Sequence, residues 1–66
     1  MEKLVRLLRI INIIQTTPGI KGKEIAELCE TSERTIYRDL DILSEANIPI
    51  VNEGHSKGYK FIGKFK

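Results

Sequence analysis

From Lys3 to Gln15 the chain runs without Gly or Pro, and polar side chains return at Lys3, Arg6, Arg9, Asn12 and Gln15 with apolar ones between them. That spacing predicts a helix. At about 100° per residue, Leu4, Leu7, Leu8, Ile11 and Ile14 share one face, the stripe expected to line a core. Val5, Ile10 and Ile13 fall outside it. Three surplus β-branched residues beside Arg6 and Arg9 are expected to meet something beyond their own domain.

Thr16-Thr17-Pro18-Gly19 ends this helix, because Pro drives the residue before it out of the α region and Gly accepts positive φ. A second helix is predicted from Lys23 to Cys29, with Ile25, Leu28 and Cys29 at i, i+3 and i+4. Ser32 then offers a hydroxyl as an N-cap, and Ile36, Leu40 and Leu43 at i, i+4 and i+7 mark a third, amphipathic helix from Glu33 to Ala46. Asn47-Ile48-Pro49 stops it. Ile50–Glu53 and Tyr59–Ile62 read as short strands around Gly54-His55-Ser56-Lys57-Gly58, a hairpin with a glycine-bounded loop. Two helices joined by a short turn, preceded by one helix and followed by a hairpin, outline a winged helix-turn-helix. The expected fold is therefore mainly α with a small β hairpin: three helices plus a two-stranded wing. One domain fills residues 1–66, with the helix-turn-helix over 23–46 and the wing over 50–62.

Composition narrows the function. Sixty-six residues, 41% hydrophobic and 30% charged, suffice for one small packed domain and exclude a two-domain enzyme. The single cysteine, Cys29, cannot form an internal disulfide, and charges at Glu2, Lys3, Arg6 and Arg9 break up any signal peptide, so a reducing cytoplasm is the expected compartment. Catalysis is not expected: His55 sits on a loop tip, Ser32 reads as a cap and Cys29 as a small core residue. No cofactor is called for, and one His with one Cys lacks the paired spacing of a metal site. Charge is segregated: residues 1–22 sum to +3, residues 23–47 to −4 and residues 48–66 to +3. Basic ends suit an anionic partner.

The third helix shows where such a partner could sit. Opposite its core stripe lie Arg34 and Arg38, flanked by Tyr37 and Thr35, so its first two turns carry two guanidinium groups, a phenol and a hydroxyl outward. Arginine forks match guanine edges or phosphates, and Thr and Tyr can reach phosphate or a thymine methyl. Asp41 and Glu45 lie farther along the same face, so only the N-terminal half is expected to enter a major groove. The same residues would also serve as a plain solvated face, with Arg38 paired to Asp41. In the hairpin, His55, Ser56 and Lys57 at the tip and Lys60 beyond it form a small basic projection able to lie on phosphates or enter a minor groove.

The run Thr31-Ser32-Glu33-Arg34-Thr35-Ile36-Tyr37-Arg38-Asp39-Leu40, with Leu43, Ile48-Pro49 and Gly58-Tyr59, closely resembles the N-terminal winged helix-turn-helix (type 11) of WYL-domain bacterial transcriptional regulators. Lys57-Gly58-Tyr59 is similar to the hairpin of the biotin-operon repressor, which shares that fold. The resemblance spans roughly residues 19–61. It implies sequence-specific binding of double-stranded DNA, with Ser32, Arg34, Thr35, Tyr37 and Arg38 in recognition-helix roles and His55, Ser56, Lys57 and Lys60 on the wing. Two departures stand out: Lys21 where relatives place a capping Ser or Thr, and Glu30 where many have a turn glycine. Such regulators usually continue into a larger sensing region, so this chain is expected to be the DNA reader without it, with Val5, Ile10 and Ile13 as the surface that packs against that C-terminal effector region or against a second copy in a homodimer. The competing expectation is a winged helix that serves as a protein-interaction or dimerisation module.

Overall fold

A computed structural model describes residues 2–52 and 58–62 of the chain. Its elements are helices α1 (Lys3–Thr16), α2 (Gly22–Leu28) and α3 (Glu33–Glu45), then strands β1 (Ile50–Asn52) and β2 (Tyr59–Phe61). The strands pair antiparallel with Ile50 opposite Phe61, Val51 opposite Lys60 and Asn52 opposite Tyr59. This is the expected order of three helices and a two-stranded wing, with element ends shifted by about one residue.

The helix ends show why the chain turns where it does. Both α2 and α3 close with a Schellman motif, in which a residue in the left-handed region turns the last carbonyls back onto backbone N–H groups. At the end of α2, Glu30 sits at φ 54, its N–H donates to the Glu27 carbonyl at 3.2 Å, and Thr31 N–H donates to the Ala26 carbonyl at 3.0 Å. At the end of α3, Asn47 takes φ 64, with Asn47 N–H on the Ser44 carbonyl and Ile48 N–H on the Leu43 carbonyl, both at 3.0 Å. Asparagine tolerates this conformation; glutamate carries the Cβ penalty that a glycine would avoid.

The core contains Ile10, Ile13 and Ile14 of α1, Ile20 from the following turn, Ile25, Ala26 and Cys29 around α2, and Ile36, Leu40 and Leu43 of α3. Leu7, Ile11, Ile48, Ile50, Tyr59 and Phe61 pack around it half-buried. Each fully buried Ile contributes about 1.5–3 kcal/mol relative to exposure.

This arrangement corrects the reading of α1. Ile10 and Ile13, expected on an outer surface with Val5, lie in the core at 0% and 8% exposure. Of the stripe expected to point inward, Ile14 is buried and Leu7 and Ile11 are half-buried, but Leu4 and Leu8 are 61% and 59% exposed. The helix is rotated from its expected orientation, and Arg6 is the reason. Arg6, Ile10 and Ile13 share one face at i, i+4 and i+7, and the Arg6 guanidinium is directed inward onto the buried carboxylate of Asp39. Counting Arg6 among the outward polar positions placed its two isoleucine neighbours outside as well. Of the three residues expected outside, only Val5, 51% exposed, remains there.

The wing is fastened to the helical body at one backbone junction. Gly19 N–H donates to the Tyr59 carbonyl and Tyr59 N–H to the Ile20 carbonyl, each at 2.8 Å, so Ile20 forms an antiparallel bridge beside β2. The approach leaves no room for a side chain at Gly58: a Cβ there would overlap the carbonyl oxygens of Gly19 and Ile20 and lie 2.6 Å from the Gly19 carbonyl carbon. Gly58 also takes φ 73.

Opposite effects are expected at two of the left-handed positions, Gly58 and Glu30. Gly58→Ala should destabilise the fold by about 2 kcal/mol or more, because strained φ and backbone overlap add. Glu30→Gly should stabilise it by about 0.5–1 kcal/mol, roughly 2–8 °C in Tm, by relieving the Cβ penalty. Thermal unfolding followed by circular dichroism reads both.

Candidate nucleic-acid interface

The start of α3 is set by its cap. Ser32, in extended backbone, places its Oγ 3.2 Å from the Thr35 N–H it accepts and 3.1 Å from Thr35 Oγ1. Glu33 in the first turn complements the positive end of the helix dipole. At the start of α2, Lys21 has no side-chain acceptor, and capping runs the other way: Lys21 N–H donates to Glu24 Oε1 at 3.2 Å. The missing Ser or Thr cap at Lys21 is thus half compensated.

With Ile36, Asp39, Leu40 and Leu43 turned inward, α3 presents Arg34 and Arg38 to solvent. Neither guanidinium forms an ion pair or side-chain hydrogen bond among the described residues, and the Arg38–Asp41 pairing is not formed. Both forks are available to an anion. Thr35 is half-buried and its hydroxyl meets Ser32.

Tyr37 is held more tightly than its outward position suggested. Its hydroxyl donates to Glu33 Oε1 at 3.1 Å, and its ring covers Gly22 at the first turn of α2, where a Cβ would lie 2.8 Å from Tyr37 Cε1. The carboxylate acceptor is the main reason the phenol is pushed above its ordinary pKa, with partial burial adding to it. Tyr37 therefore fixes the angle between α2 and α3 while leaving 44% of its surface exposed.

Beside Tyr37 lies a cleft of about 230 Å³ bounded by the start of α2, the start of α3 and the wing; Lys21, Lys23, Tyr37, Asn52 and Tyr59 line it. Lys21 and Lys23 are exposed on the same side as the α3 N-terminus and extend its basic surface. In the sequence Lys21 reads only as a cap, and Lys23 has no role. The signal is present in the charge pattern, since both lysines flank the first residue of the helix that precedes the turn. On the wing, Lys60 lies in β2 and is half-buried. His55, Ser56 and Lys57 fall outside the described residues.

Behind this surface stands Asp39, 2% exposed, the one polar side chain in the core among the described residues. It accepts from Arg6 twice, from Nε and from Nη2, the latter at 3.2 Å, in a two-pronged contact between α1 and α3. The hydrogen bond to Asp39 raises the Arg6 pKa above its already high ordinary value, against the opposing effect of desolvation. Asp39 follows Arg38 directly, so the pair anchors α3 from inside at the turn whose outer side carries the free arginine. The neighbouring Cys29 thiol is pushed up mainly by burial, which keeps it protonated and inert.

Residues 6–60 match the family model described as the HTH domain. The match begins at Arg6, earlier than the 19–61 span legible from the motifs, and so takes in the arginine that holds Asp39. The chain is also 43% identical over 56 residues, 85% of its length, to a Bacillus subtilis (strain 168) protein named as an uncharacterized HTH-type transcriptional regulator, YobV. That alignment covers 18% of the relative, so the chain spans less than a fifth of the protein it matches. No solved structure matches.

The buried pair gives an asymmetric prediction. Asp39 is enclosed, whereas the Arg6 side chain keeps 16% exposure and can swing to water when its partner is lost. Arg6→Ala should therefore cost about 3 kcal/mol or more and Asp39→Ala about 1–3 kcal/mol, while the apolar pair Arg6→Met with Asp39→Leu should recover most of the loss. Urea titration of the four proteins checks the order.

Proposed function

The chain belongs to the HTH domain family, and on that footing we propose that it reads double-stranded DNA for a bacterial transcriptional regulator. The observation that carries the reading is the pair Arg34 and Arg38, exposed on the outer face of α3 and free of ion-pair partners among the described residues. In this reading the N-terminal half of α3 enters the major groove, where the two forks address guanine edges or phosphates, and Ser32 and Thr35 meet the backbone at the helix entry. Tyr37 acts chiefly by setting the helix against Gly22, with its exposed edge near phosphate. Lys21 and Lys23 extend the contact along one strand. Asp41 and Glu45, both exposed, keep the C-terminal half of α3 out of the groove.

The hairpin is the wing, and His55, Ser56, Lys57 and Lys60 supply its backbone or minor-groove contact. The residues continue the pattern of a WYL-type regulator, in which such a domain is joined to a larger sensing region. The regulator would work in the cytoplasm, where bacterial DNA lies. A free cysteine is at home there, and no helix among the described residues is long and apolar enough to cross a membrane.

Fluorescence anisotropy of a labelled duplex, titrated across a salt series, tests this. Arg34→Ala and Arg38→Ala should each weaken binding by about 1–3 kcal/mol, and Lys60→Ala should lower the salt slope by about one. Equal binding by wild type and the arginine double mutant would remove α3 from the groove, and no binding by either at low salt would leave the domain as a protein-interaction module.

A further inference from the structure

Glu33, the first residue of α3, is an exposed carboxylate set beside three cations, Arg34, Lys21 and Lys23. It lines the same cleft as the two lysines yet pairs with neither, and among the described residues no ion pair neutralises it. Its partner is Tyr37, one turn farther on, whose hydroxyl donates to Oε1 at 3.1 Å. Residues four apart lie about 40° from each other, so Glu33 and Tyr37 share the flank of α3 that borders the cleft, about 100° around from Arg34 and Arg38. The Tyr37 ring is seated on Gly22, which makes the hydroxyl a fixed donor that holds the carboxylate in one place. Oε2 accepts no hydrogen bond among the described residues. The Tyr37 proton, committed to Glu33, is not free for a phosphate.

We propose that Glu33 selects a cytosine in the bound DNA and that Tyr37 is the residue that positions it. A carboxylate is repelled by phosphates whatever the sequence, so at the entry of α3 it lowers affinity unless the DNA offers it a hydrogen. In the major groove only two groups do so, cytosine N4 and adenine N6. Adenine places its N7 acceptor beside N6, where an approaching carboxylate meets a second lone pair; cytosine carries no acceptor of its own on that edge. Guanine and thymine present acceptors there, O6 with N7 and O4, and these repel it. With Oε1 held by Tyr37, Oε2 is the atom left to accept from N4.

The assignment rests on α3 entering the major groove and deepens that reading. The first residues of such a helix come nearest the base edges, so Glu33 and Arg34 address neighbouring positions, the carboxylate a cytosine and the guanidinium a guanine. Arg34 and Arg38 supply both attraction and discrimination, whereas Glu33 supplies discrimination alone. Gly22 belongs to the same device: a Cβ there would lie 2.8 Å from Tyr37 Cε1 and 3.1 Å from its hydroxyl oxygen, and would push the ring off the position from which it holds Glu33.

Selection of bound duplexes from a pool with a randomised centre, followed by sequencing, tests this with the wild-type chain, Glu33→Gln and Tyr37→Phe. In the wild-type motif one position beside the guanines should be cytosine, and replacing that base pair in the selected duplex should weaken binding about fivefold or more in anisotropy. Glu33→Gln should keep the guanine positions and turn the cytosine position to adenine, because a carboxamide matches N6 and N7 together. Tyr37→Phe keeps the ring on Gly22 and loses the hydroxyl, so it should lower the cytosine preference by about two- to tenfold with the guanine positions unmoved. A purely structural role for Tyr37 would weaken every position alike. Circular dichroism should show wild-type helix content for both variants, as expected at exposed positions. A Glu33→Gln motif identical to that of wild type would overturn the assignment while leaving α3 in the groove, as would a Tyr37→Phe motif that is unchanged or weakened equally throughout. A wild-type pool with no enriched sequence would overturn the DNA reading itself and the assignment with it.

Discussion

The Arg6–Asp39 pair connects the two helices on which this domain depends. Residues 33 positions apart are joined by a charged, two-pronged contact whose acidic member is, among the described residues, the one polar side chain in the core. A buried carboxylate is costly unless a cation and hydrogen bonds meet it. Of the possible orientations of α1 about its axis, therefore, only one that aims Arg6 inward is compatible with burying the inner face of α3. That orientation brings Ile10 and Ile13 into the core beside Arg6 and leaves Leu4, Val5 and Leu8 outside.

The interface rests on the same arrangement. Asp39 follows Arg38, so the inner anchor and the outward arginine share one turn of α3. The inward pairing also removes one negative charge from the side that would face DNA, in a segment whose net charge is −4. Tyr37 performs a second fixing task nearby: its ring closes on Gly22 while its hydroxyl bonds Glu33. The angle between α2 and α3 is thus set by contact with a residue that has no side chain. The Gly58 junction then places the wing against the turn after α1 through two backbone hydrogen bonds. Three local constraints, one ionic, one aromatic and one steric, fix the helices and the wing against one another.

Much of this can be read along the chain. The helix boundaries follow from Ser32, Asn47, Pro18 and Pro49, because capping and φ restrictions act over three or four residues. The two-stranded wing follows from alternating Ile, Val, Tyr and Phe around a glycine-bounded loop. Arg34 and Arg38 are identifiable as outward residues because α3 has a narrow apolar stripe, Ile36, Leu40 and Leu43, that leaves one choice of inner face. Glu30 is recognisable as a residue in a glycine position, and its φ of 54 shows the strain. Lys21 and Lys23 are visible as charges, but their placement beside α3 depends on how α2 packs.

Short-range chemistry, legible in the chain alone, settles element order, caps, turns, and the inner face of any helix whose pattern admits a single answer. The rotation of α1, the burial of Asp39 and the close fits at Gly22 and Gly58 exist only once the elements pack. In α1, apolar residues occupy more positions than one core face can hold, so periodicity leaves several rotations open. An electrostatic contact 33 residues away selects among them, and no local pattern records it, because a buried arginine–aspartate pair reads in sequence as two ordinary surface charges.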